Sequence, residues 1–481
     1  MTMGSRVLRA CLYGAAALVA VALCGTAYIR WSGASVGLSG SGRGIVIEHA
    51  NSERRMQDLE ESRRAQERAQ AHPARQDLER SAVAAKPAPA VEQPTGPANY
   101  WTEYRGPGRA GIYGETKIRT DWPAEGPPEL WRQQIGGGYA SMVVADSLVF
   151  TIEQRRGREV VAAYRIEDGS QAWEHSWRAR FSESMGGDGP RATPTWSDGR
   201  LYALGASGHL TCLQASDGRV LWERNILADA GADNLTWGMA GAPLVVDDIV
   251  VTLPGGRRGR SIIAYDKLSG DVRWSALNDK AGYVSPQVAE LAGRRQLLVI
   301  SGTRVLGASL DDGSLLWSHP WRTSYDANCA QPLVVDGEHV FVSSGYGHGA
   351  ALLKITADGE AFSVEEVWFN RNMKNKFNPS VLASGVVYGL DEGIMVALDV
   401  RTGERHWKQG RYRYGQLLHA GGHLIVVSEQ GDLALVEATP EEYRELARFE
   451  AIPGKTWNVP AMADGILYVR NQTEMAAYDL R

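Results

Sequence analysis

The stretch AYDKLSGDVRW, residues 264–274, combines the end of one β-strand, a tight turn around Gly270 and a second strand that reaches Trp274. Similar stretches recur along the chain, and tryptophans stand at intervals of 39 to 52 residues: Trp131, Trp173, Trp222, Trp274, Trp317, Trp368 and Trp407. Phe449 in ELARFEAI lies 42 residues after the last of them and is an eighth member. Spacings of 20 to 50 residues are typical of repeat architectures.

A second feature of the sequence also indicates eight repeats. Eight tight turns, each followed by a strand of alternating apolar residues, lie near Asp146, Asp198, Asp247, Gly293, Asp336, Ser384, Gly421 and Asp464. Turn residues between alternating apolar runs indicate β-hairpins. One unit reads RATPTW, RLYALG, HLTCLQ and RVLWER, which is four strands. The sequence therefore predicts an all-β, eight-bladed β-propeller of four-stranded antiparallel blades over residues 100–481.

The two ends of this region complement each other. LWRQQI, residues 130–135, is a tryptophan strand without the three strands that should precede it. The last unit, from NVPAMA to EMAAYDL, stops at Arg481 without its fourth strand. We expect the two to form one blade, because this closure removes two open sheet edges. The repeated tryptophans are then expected to pack between neighbouring blades as structural residues.

The chain before residue 100 divides into two zones. Residues 10–29 are an uncharged apolar run between Arg9 and Arg30, long enough to cross a bilayer. An uncleaved anchor is the preferred interpretation of residues 1–31, with a cleaved signal peptide or a lipoprotein at Cys24 as alternatives. Each of them places the remainder outside the cytoplasm, on the periplasmic side of a membrane.

Residues 32–99 are densely charged and then rich in proline and alanine, which predicts a stalk. We expect one exposed helix in it, from Ser52 to Gln70. A further short helix is predicted over Thr439–Phe449, because Thr439 is suited to cap it and Pro440 to start it.

Composition limits the possible functions. The 481 residues carry a net charge of -5, which does not favour nucleic acid as a partner. The four cysteines form no CxxC pair, no CxxCH haem motif and no zinc pattern.

The pattern A-x-D-x-x-x-G-x-x-x-W, complete at Ala264–Trp274 and Ala397–Trp407, resembles the repeat of pyrroloquinoline quinone (PQQ) propellers. One branch of that family, the quinoprotein alcohol and glucose dehydrogenases, binds PQQ and Ca²⁺. The other branch, the outer-membrane protein assembly factors of the BamB type, binds partners without quinone or catalysis. Alcohol dehydrogenases of the first branch carry adjacent cysteines over the cofactor, and here no two cysteines are adjacent. The resemblance therefore favours the second branch.

A candidate site follows from the loops that lead into the innermost strand of each blade, since these border one end of the central channel. Aromatic, charged and amide residues stand there beside glycine or proline: Asp188, Arg191, Trp237, Tyr283, Asp326, Asn328, Lys376, Asn378, Tyr414, Lys455, Trp457 and Asn458. Arginine and lysine suit carboxylates, and tryptophan suits a planar ring. Asp326 with Asn328 or Asn458 could offer oxygen ligands to Ca²⁺. The alternative is that these residues only shape the turns and plug the channel.

The sequence thus predicts a membrane-tethered, non-catalytic binding or assembly scaffold with envelope or outer-membrane proteins as partners and no cofactor. A PQQ- and Ca²⁺-dependent oxidoreductase and a ligand-binding sensor propeller are the alternatives.

Overall fold

The computed structural model describes residues 35–38, 45–48, 53–71 and 100–481. Strands β1 (Ser35–Leu38) and β2 (Ile45–Glu48) form an antiparallel pair, and helix α1 covers Glu53–Ala71. The predicted anchor at residues 10–29 lies outside the described residues. Among those that are described, no helix is long and apolar enough to cross a membrane.

Eight blades of four antiparallel strands follow, as the repeat predicts. A short strand, β3 (Ile112–Tyr113), precedes them and adds a fifth, parallel strand beside Gln416–Ala420 in the sheet of blade 7, and β4 (Glu129–Gln134) is the isolated tryptophan strand. Blades 1 to 4 are built from consecutive strands, in order from the channel outward. Their bounds are β5 Val143–Ala145, β6 Leu148–Arg155, β7 Arg158–Arg165, β8 Gln171–Arg178; β9 Thr195–Ser197, β10 Arg200–Leu204, β11 His209–Gln214, β12 Val220–Asn225; β13 Leu244–Val246, β14 Ile249–Thr252, β15 Ile262–Asp266, β16 Val272–Ala276; β17 Gln287–Leu291, β18 Arg294–Ile300, β19 Arg304–Ala308 and β20 Leu315–Pro320.

Blades 5 to 7 repeat this order, and blade 8 has three consecutive strands and takes β4 as its fourth. Their bounds are β21 Leu333–Val334, β22 His339–Ser344, β23 Gly349–Asp358, β24 Ala361–Asn370; β25 Val381–Ala383, β26 Val386–Asp391, β27 Ile394–Asp399, β28 Arg405–Arg411; β29 Gln416–Ala420, β30 His423–Val427, β31 Asp432–Glu437, β32 Glu445–Glu450; β33 Ala461–Ala463, β34 Ile466–Arg470 and β35 Glu474–Asp479. A one-turn helix, α2 (Ile226–Ala230), follows the outer strand of blade 2.

Blade 8 closes the ring as expected. Strand β4 pairs antiparallel with β35 and is its outermost strand, with Trp131 opposite Ala477. The two chain segments that form this blade are thus held together by main-chain hydrogen bonds.

The repeated turn has a clear packing role. The indole Nε1 atoms of six of the repeat tryptophans donate to a carbonyl of the next blade, between its third and fourth strands, at 2.8 to 3.1 Å. Trp317 instead donates to Gln296 Oε1 of its own blade. Gly270 in the turn of blade 3 has φ +76°, and a Cβ atom there would lie 2.7 Å from the ring of Trp222 in blade 2. Only glycine combines this backbone with this approach.

The predicted helix at Thr439–Phe449 is wrong. Residues 439–444 form a loop, and Glu445–Glu450 is the outermost strand of blade 7. Pairing of Leu433 with Phe449 along β31 outweighs the local helix signals. Phe449 occupies the tryptophan position, and Gly126 takes the place of the turn glycine, where a Cβ atom would lie 2.5 Å from the ring of Phe449.

Candidate functional site

The propeller has two different faces. One is formed by the loops that enter the innermost strands and by the hairpins between second and third strands; we call it the mouth. The opposite face carries the remaining turns, and we call it the floor.

Residues 100–113, the floor segment, close the channel from the floor side. The carbonyl of Trp101 accepts from Val144 N in blade 1, and that of Thr102 accepts from Trp196 N in blade 2. On the far side, the carbonyl of Gly111 accepts from His419 N in blade 7. The segment therefore crosses the channel and closes it on the floor side; we call the part of the channel that is lined by the mouth loops the bowl.

Two buried arginines fasten the floor segment. Arg105 Nη1 and Nη2 donate to the carbonyls of Pro379 (3.1 Å) and Ser380 (2.6 Å), beside the inner strand of blade 6. Arg109 donates to the carbonyls of Ala242 (3.2 Å) and Pro243 (2.7 Å), beside the inner strand of blade 3. Burial lowers the pKa of Arg105 to about 10. This role is not visible in the sequence, because residues 100–128 lack the repeat.

The mouth brings cations onto aromatic faces. The Lys376 ammonium lies 4.3 Å from the ring centre of Tyr414, whose hydroxyl is 3.0 Å away, and 5.4 Å from that of Tyr346. Lys455 lies 3.8 Å from the ring centre of Trp457. Such contacts hold the two cations in place, and the Nζ atom of Lys455 is itself buried.

Arg191 is held more firmly. Its guanidinium donates to the carbonyls of Gly187 (2.6 Å) and Gly189 in its own loop and lies 4.6 Å from the ring centre of Phe181. Burial lowers its pKa, against the opposing effect of Tyr139. Arg191 therefore fixes the conformation of its loop and also gives the loop a positive charge.

Further rings complete the wall of the bowl. Tyr139 and Trp457 have ring centres 5.2 Å apart, Phe377 and Trp457 4.6 Å, and Trp237 and Tyr283 5.5 Å. All five side chains are partly exposed.

Below these rings lies the thiol of Cys329. It interacts electrostatically with Tyr283 and Tyr346 from the mouth and with Tyr104 from the floor segment. Burial raises the pKa of the thiol to about 12. Cys329, which is partly exposed, therefore lies among tyrosines that come from both the mouth and the floor segment.

The other predicted residues have mainly internal partners. Asn328 donates to the carbonyls of Ser301 and Trp321 and accepts from Ser344 Oγ. Asn458 donates to the carbonyls of Gly138 and Ala140. The side chains of Asn378 and Asp188 are buried, and Asn378 Oδ1 and Asp188 Oδ1 accept from Lys376 N and Ser182 Oγ, respectively. These residues brace the loops that carry the cations and rings.

The pair Asp326 and Asn328, one of the two calcium pairs suggested by the sequence, does not fit that ion. The Asp326 carboxylate is partly exposed and paired with Lys280 Nζ at 2.8 Å, whereas the Asn328 amide is 1% exposed and engaged by three partners. Within the described residues, no three His, Cys, Asp or Glu side chains form a metal-binding group.

Tyr139, Phe181, Tyr346 and Phe377 were not predicted as site residues. Tyr139 and Phe377 lie in loops selected for their other residues, and an aromatic beside glycine was the available signal. Phe181 precedes its loop, and Tyr346 comes from the hairpin between the second and third strands of blade 5.

Comparison with known proteins agrees with the repeat. No curated protein matches the chain in sequence. Among solved structures, BamB from Moraxella catarrhalis is similar at 16% identity, covering 74% of this chain and 98% of its own, with a TM-score of 0.54. The quinohemoprotein alcohol dehydrogenase ADHIIG from Pseudomonas putida HK5 is similar at 14% identity over 80% of both chains, with a TM-score of 0.57. The computationally designed Ika8 protein is similar at 12% identity over 73% of this chain and 99% of its own, with a TM-score of 0.51. These similarities concern the fold alone.

The family model described as outer membrane protein assembly factor BamB matches residues 157–409, more than half of the chain. Together with the eight closed blades and the shared turn, this match shows that the chain belongs to the BamB family of PQQ-like propellers.

Proposed function

We propose that the protein is a non-catalytic binding and assembly scaffold of the cell envelope, which captures an acidic, aromatic-bearing segment of a partner protein in its mouth. The observation that carries the proposal is the bowl itself. Its floor is closed by buried arginines, and its mouth places Lys376 and Lys455 against aromatic rings. Aromatic side chains and anchored cations are the groups that dominate binding at protein interfaces.

A photo-crosslinking amino acid at the mouth tests this role. Tyr325 is 71% exposed and lies 6.1 Å from Tyr346, measured between ring centres, so it marks the rim. We expect a discrete protein adduct when Tyr325 is replaced by benzoylphenylalanine in cells. Lys376→Glu should lower its yield at least about tenfold, because a charge-assisted contact contributes about 1.5–3 kcal/mol.

The matched control is Lys354→Glu. Lys354 is partly exposed on the third strand of blade 5 and pairs with Glu338 at 3.5 Å, away from the mouth. The same charge change there should leave the adduct unchanged. Equal losses in both variants, or no adduct from the rim, would remove the mouth as the binding surface.

The proposal includes a membrane tether at residues 10–29 and a propeller on the extracytoplasmic side. Membrane sedimentation after a carbonate wash should retain the full chain and release a chain that begins at residue 32. Mass analysis of the mature N-terminus distinguishes a retained anchor from cleavage or lipidation at Cys24. Full release of the intact chain would contradict the tether.

A quinone-dependent oxidoreductase is the competing function, since the same bowl could accept a planar tricarboxylate. Incubation with PQQ and Ca²⁺, followed by an absorbance spectrum of the desalted protein, separates the two. A scaffold should retain no quinone at micromolar concentration. If the protein retained PQQ stoichiometrically and Lys376→Glu abolished this retention, the oxidoreductase function would be favoured over the scaffold function.

A further inference from the structure

Helix α1 lies against the propeller at the junction of blades 8 and 1. Met56 and Leu59 are each 1% exposed and Arg63 is 7% exposed, so one face of the helix is buried. The sequence predicts an exposed helix here; the helix is present, but the prediction that it is exposed is wrong for this face. Two apolar side chains and the arginine stems provide the buried face, although the segment as a whole is highly charged.

The N-terminal half of α1 contacts the mouth face. Arg55 donates to the carbonyl of Ile135 at 2.5 Å and to that of Thr473. Ile135 lies at the start of the first mouth loop, directly after β4, and Thr473 lies in the hairpin between β34 and β35. Glu60 pairs at 2.9 Å with Arg156, at the tip of the corresponding hairpin of blade 1.

The C-terminal half of α1 points toward the floor. Gln66 Nε2 donates to Gln133 Oε1 at 2.9 Å, and Gln66 Oε1 accepts from Gln171 N at 3.4 Å. Gln171 begins β8 directly after a floor turn, and Gln133 also donates to the carbonyl of Asp168 in that turn. The helix therefore runs along the side of the propeller from mouth to floor.

Its central arginine enters a buried ionic cluster. Arg63 donates to the carbonyl of Gln134 at 2.7 Å and to Tyr164 OH at 3.4 Å, and that hydroxyl donates to the fully buried Glu153 at 2.9 Å. Burial would raise the pKa of Glu153, but Arg155, Arg470 and Arg63 together lower it. The docked position of α1 is thus defined by charge as well as by apolar contact.

We infer from this direction that the mouth of the propeller faces the bilayer that holds the tether. The inference rests on the proposed membrane anchor. Residues 30–52, which join that anchor to α1, number 23 and reach α1 at the mouth end. Extended, they span at most about 80 Å, and the β1–β2 hairpin shortens this.

Without docking, the chain topology predicts the opposite orientation. The tether would then be residues 30–99, which lead to Tyr100 at the floor. Docking of α1 therefore moves the attachment point from floor to mouth. A partner segment captured by the mouth would accordingly belong to a protein embedded in, or emerging from, the same membrane.

Energy transfer to labelled lipid tests the orientation. A fluorescent amino acid is placed at Tyr325 on the mouth rim or, in a second protein, at Leu268, which is 56% exposed in a floor turn. The full chain is reconstituted in vesicles with an acceptor on the lipid headgroups. Because blade strands of about five to eight residues separate the faces by roughly 17–27 Å, transfer from position 325 should be roughly twofold stronger.

The docked helix is tested by Arg55→Glu with Arg63→Glu, and the control is Arg54→Glu with Arg64→Glu on the exposed face of α1. The first pair should abolish the difference between the two probes, and the second should preserve it; circular dichroism checks that both remain folded. Equal or reversed transfer in vesicle-bound native protein would overturn the inference alone. Failure of the chain to float with vesicles would instead refute the tether of the proposed function, and this inference with it.

Discussion

Trp222 and Gly270 meet across the boundary between blades 2 and 3, and their contact explains why the turn recurs. The indole donates to the carbonyl of Lys267 at 3.1 Å, and the glycine leaves room for the ring. Asp266 holds the same turn by accepting from the main-chain N–H groups of Leu268 and Ser269, both at 2.9 Å. Each motif residue thus serves either the turn or the neighbouring blade.

This contact predicts that the two substitutions are coupled. Trp222→Ala should lower the free energy of unfolding by about 3–5 kcal/mol through the cavity it leaves. Gly270→Ala should lower it by about 1–3 kcal/mol through strain and the clash with the ring. The double variant should lose at least about 1 kcal/mol less than the sum, because the clash has gone. Denaturant unfolding measures all three, and strictly additive losses would contradict the packing role.

Cys329 provides a second prediction at this scale. Burial raises the pKa of its thiol to about 12, far above the usual value of about 8.5. Alkylation by iodoacetamide requires the thiolate, so its rate should keep rising up to pH 10 without levelling. Mass spectrometry of the peptide that contains Cys329 follows the reaction, with a short unstructured cysteine peptide as reference. A plateau near pH 9 would show that the thiol is solvated.

At the scale of elements, the sequence revealed those parts that repeat. Blade strands, turns, closure and mouth loops all follow from the tryptophan and turn series. The floor segment was missed because Arg105 and Arg109 resemble surface arginines until the carbonyls they bind are known. At the site, the loops were predictable, but the division into cations, rings and bracing amides depended on side-chain partners that no single loop specifies.

Glu153, at the junction that contacts α1, makes the stability of the fold depend on pH in a defined direction. The pKa of Glu153 is lowered in the folded protein relative to the unfolded value of about 4.3. The ionised group therefore stabilises the fold above that value, and this contribution is lost as the pH falls through the folded pKa. Glu153→Gln should lower the free energy of unfolding by about 3–5 kcal/mol at pH 7.

The difference between Glu153→Gln and native protein should shrink toward pH 3, as followed by thermal melting. Glu174→Gln is the matched control, because Glu174 pairs with the same Arg155 but its side chain is 43% exposed. Its effect should stay within about 0.5 kcal/mol. If Glu153→Gln lowered the free energy of unfolding by the same amount at every pH, the packing of this side chain, and not its charge, would be what stabilises the fold.

At the scale of the whole molecule, one blade differs from the other seven. In blade 6 the third and fourth strands are joined by a short turn, whereas in blade 8 β35 and β4 belong to opposite ends of the propeller. Ala397 and Ala477 hold the same position in the two blades, opposite Trp407 and Trp131. The two residues allow a direct comparison of a connected and an unconnected strand pair.

Proline at each position removes one main-chain donor. Ala477→Pro should lower the melting temperature more than Ala397→Pro, because the damaged pair in blade 8 has no covalent turn to keep its strands together. Hydrogen exchange should also show loss of protection that spreads from β4 into blades 8 and 1. Equal melting temperatures in the two variants would indicate that other contacts hold the ring closed.

The same closure determines how long after the start of synthesis blade 8 can form. Strand β4 is made early, but its partner β35 follows only after some 340 residues, which at roughly 5–20 residues per second is a delay on the order of a minute. During that time the nascent chain displays an unpaired edge and an apolar indole at Trp131. Protection of that edge until Glu474–Asp479 emerges is therefore a requirement that the ring architecture imposes on the cell that makes it.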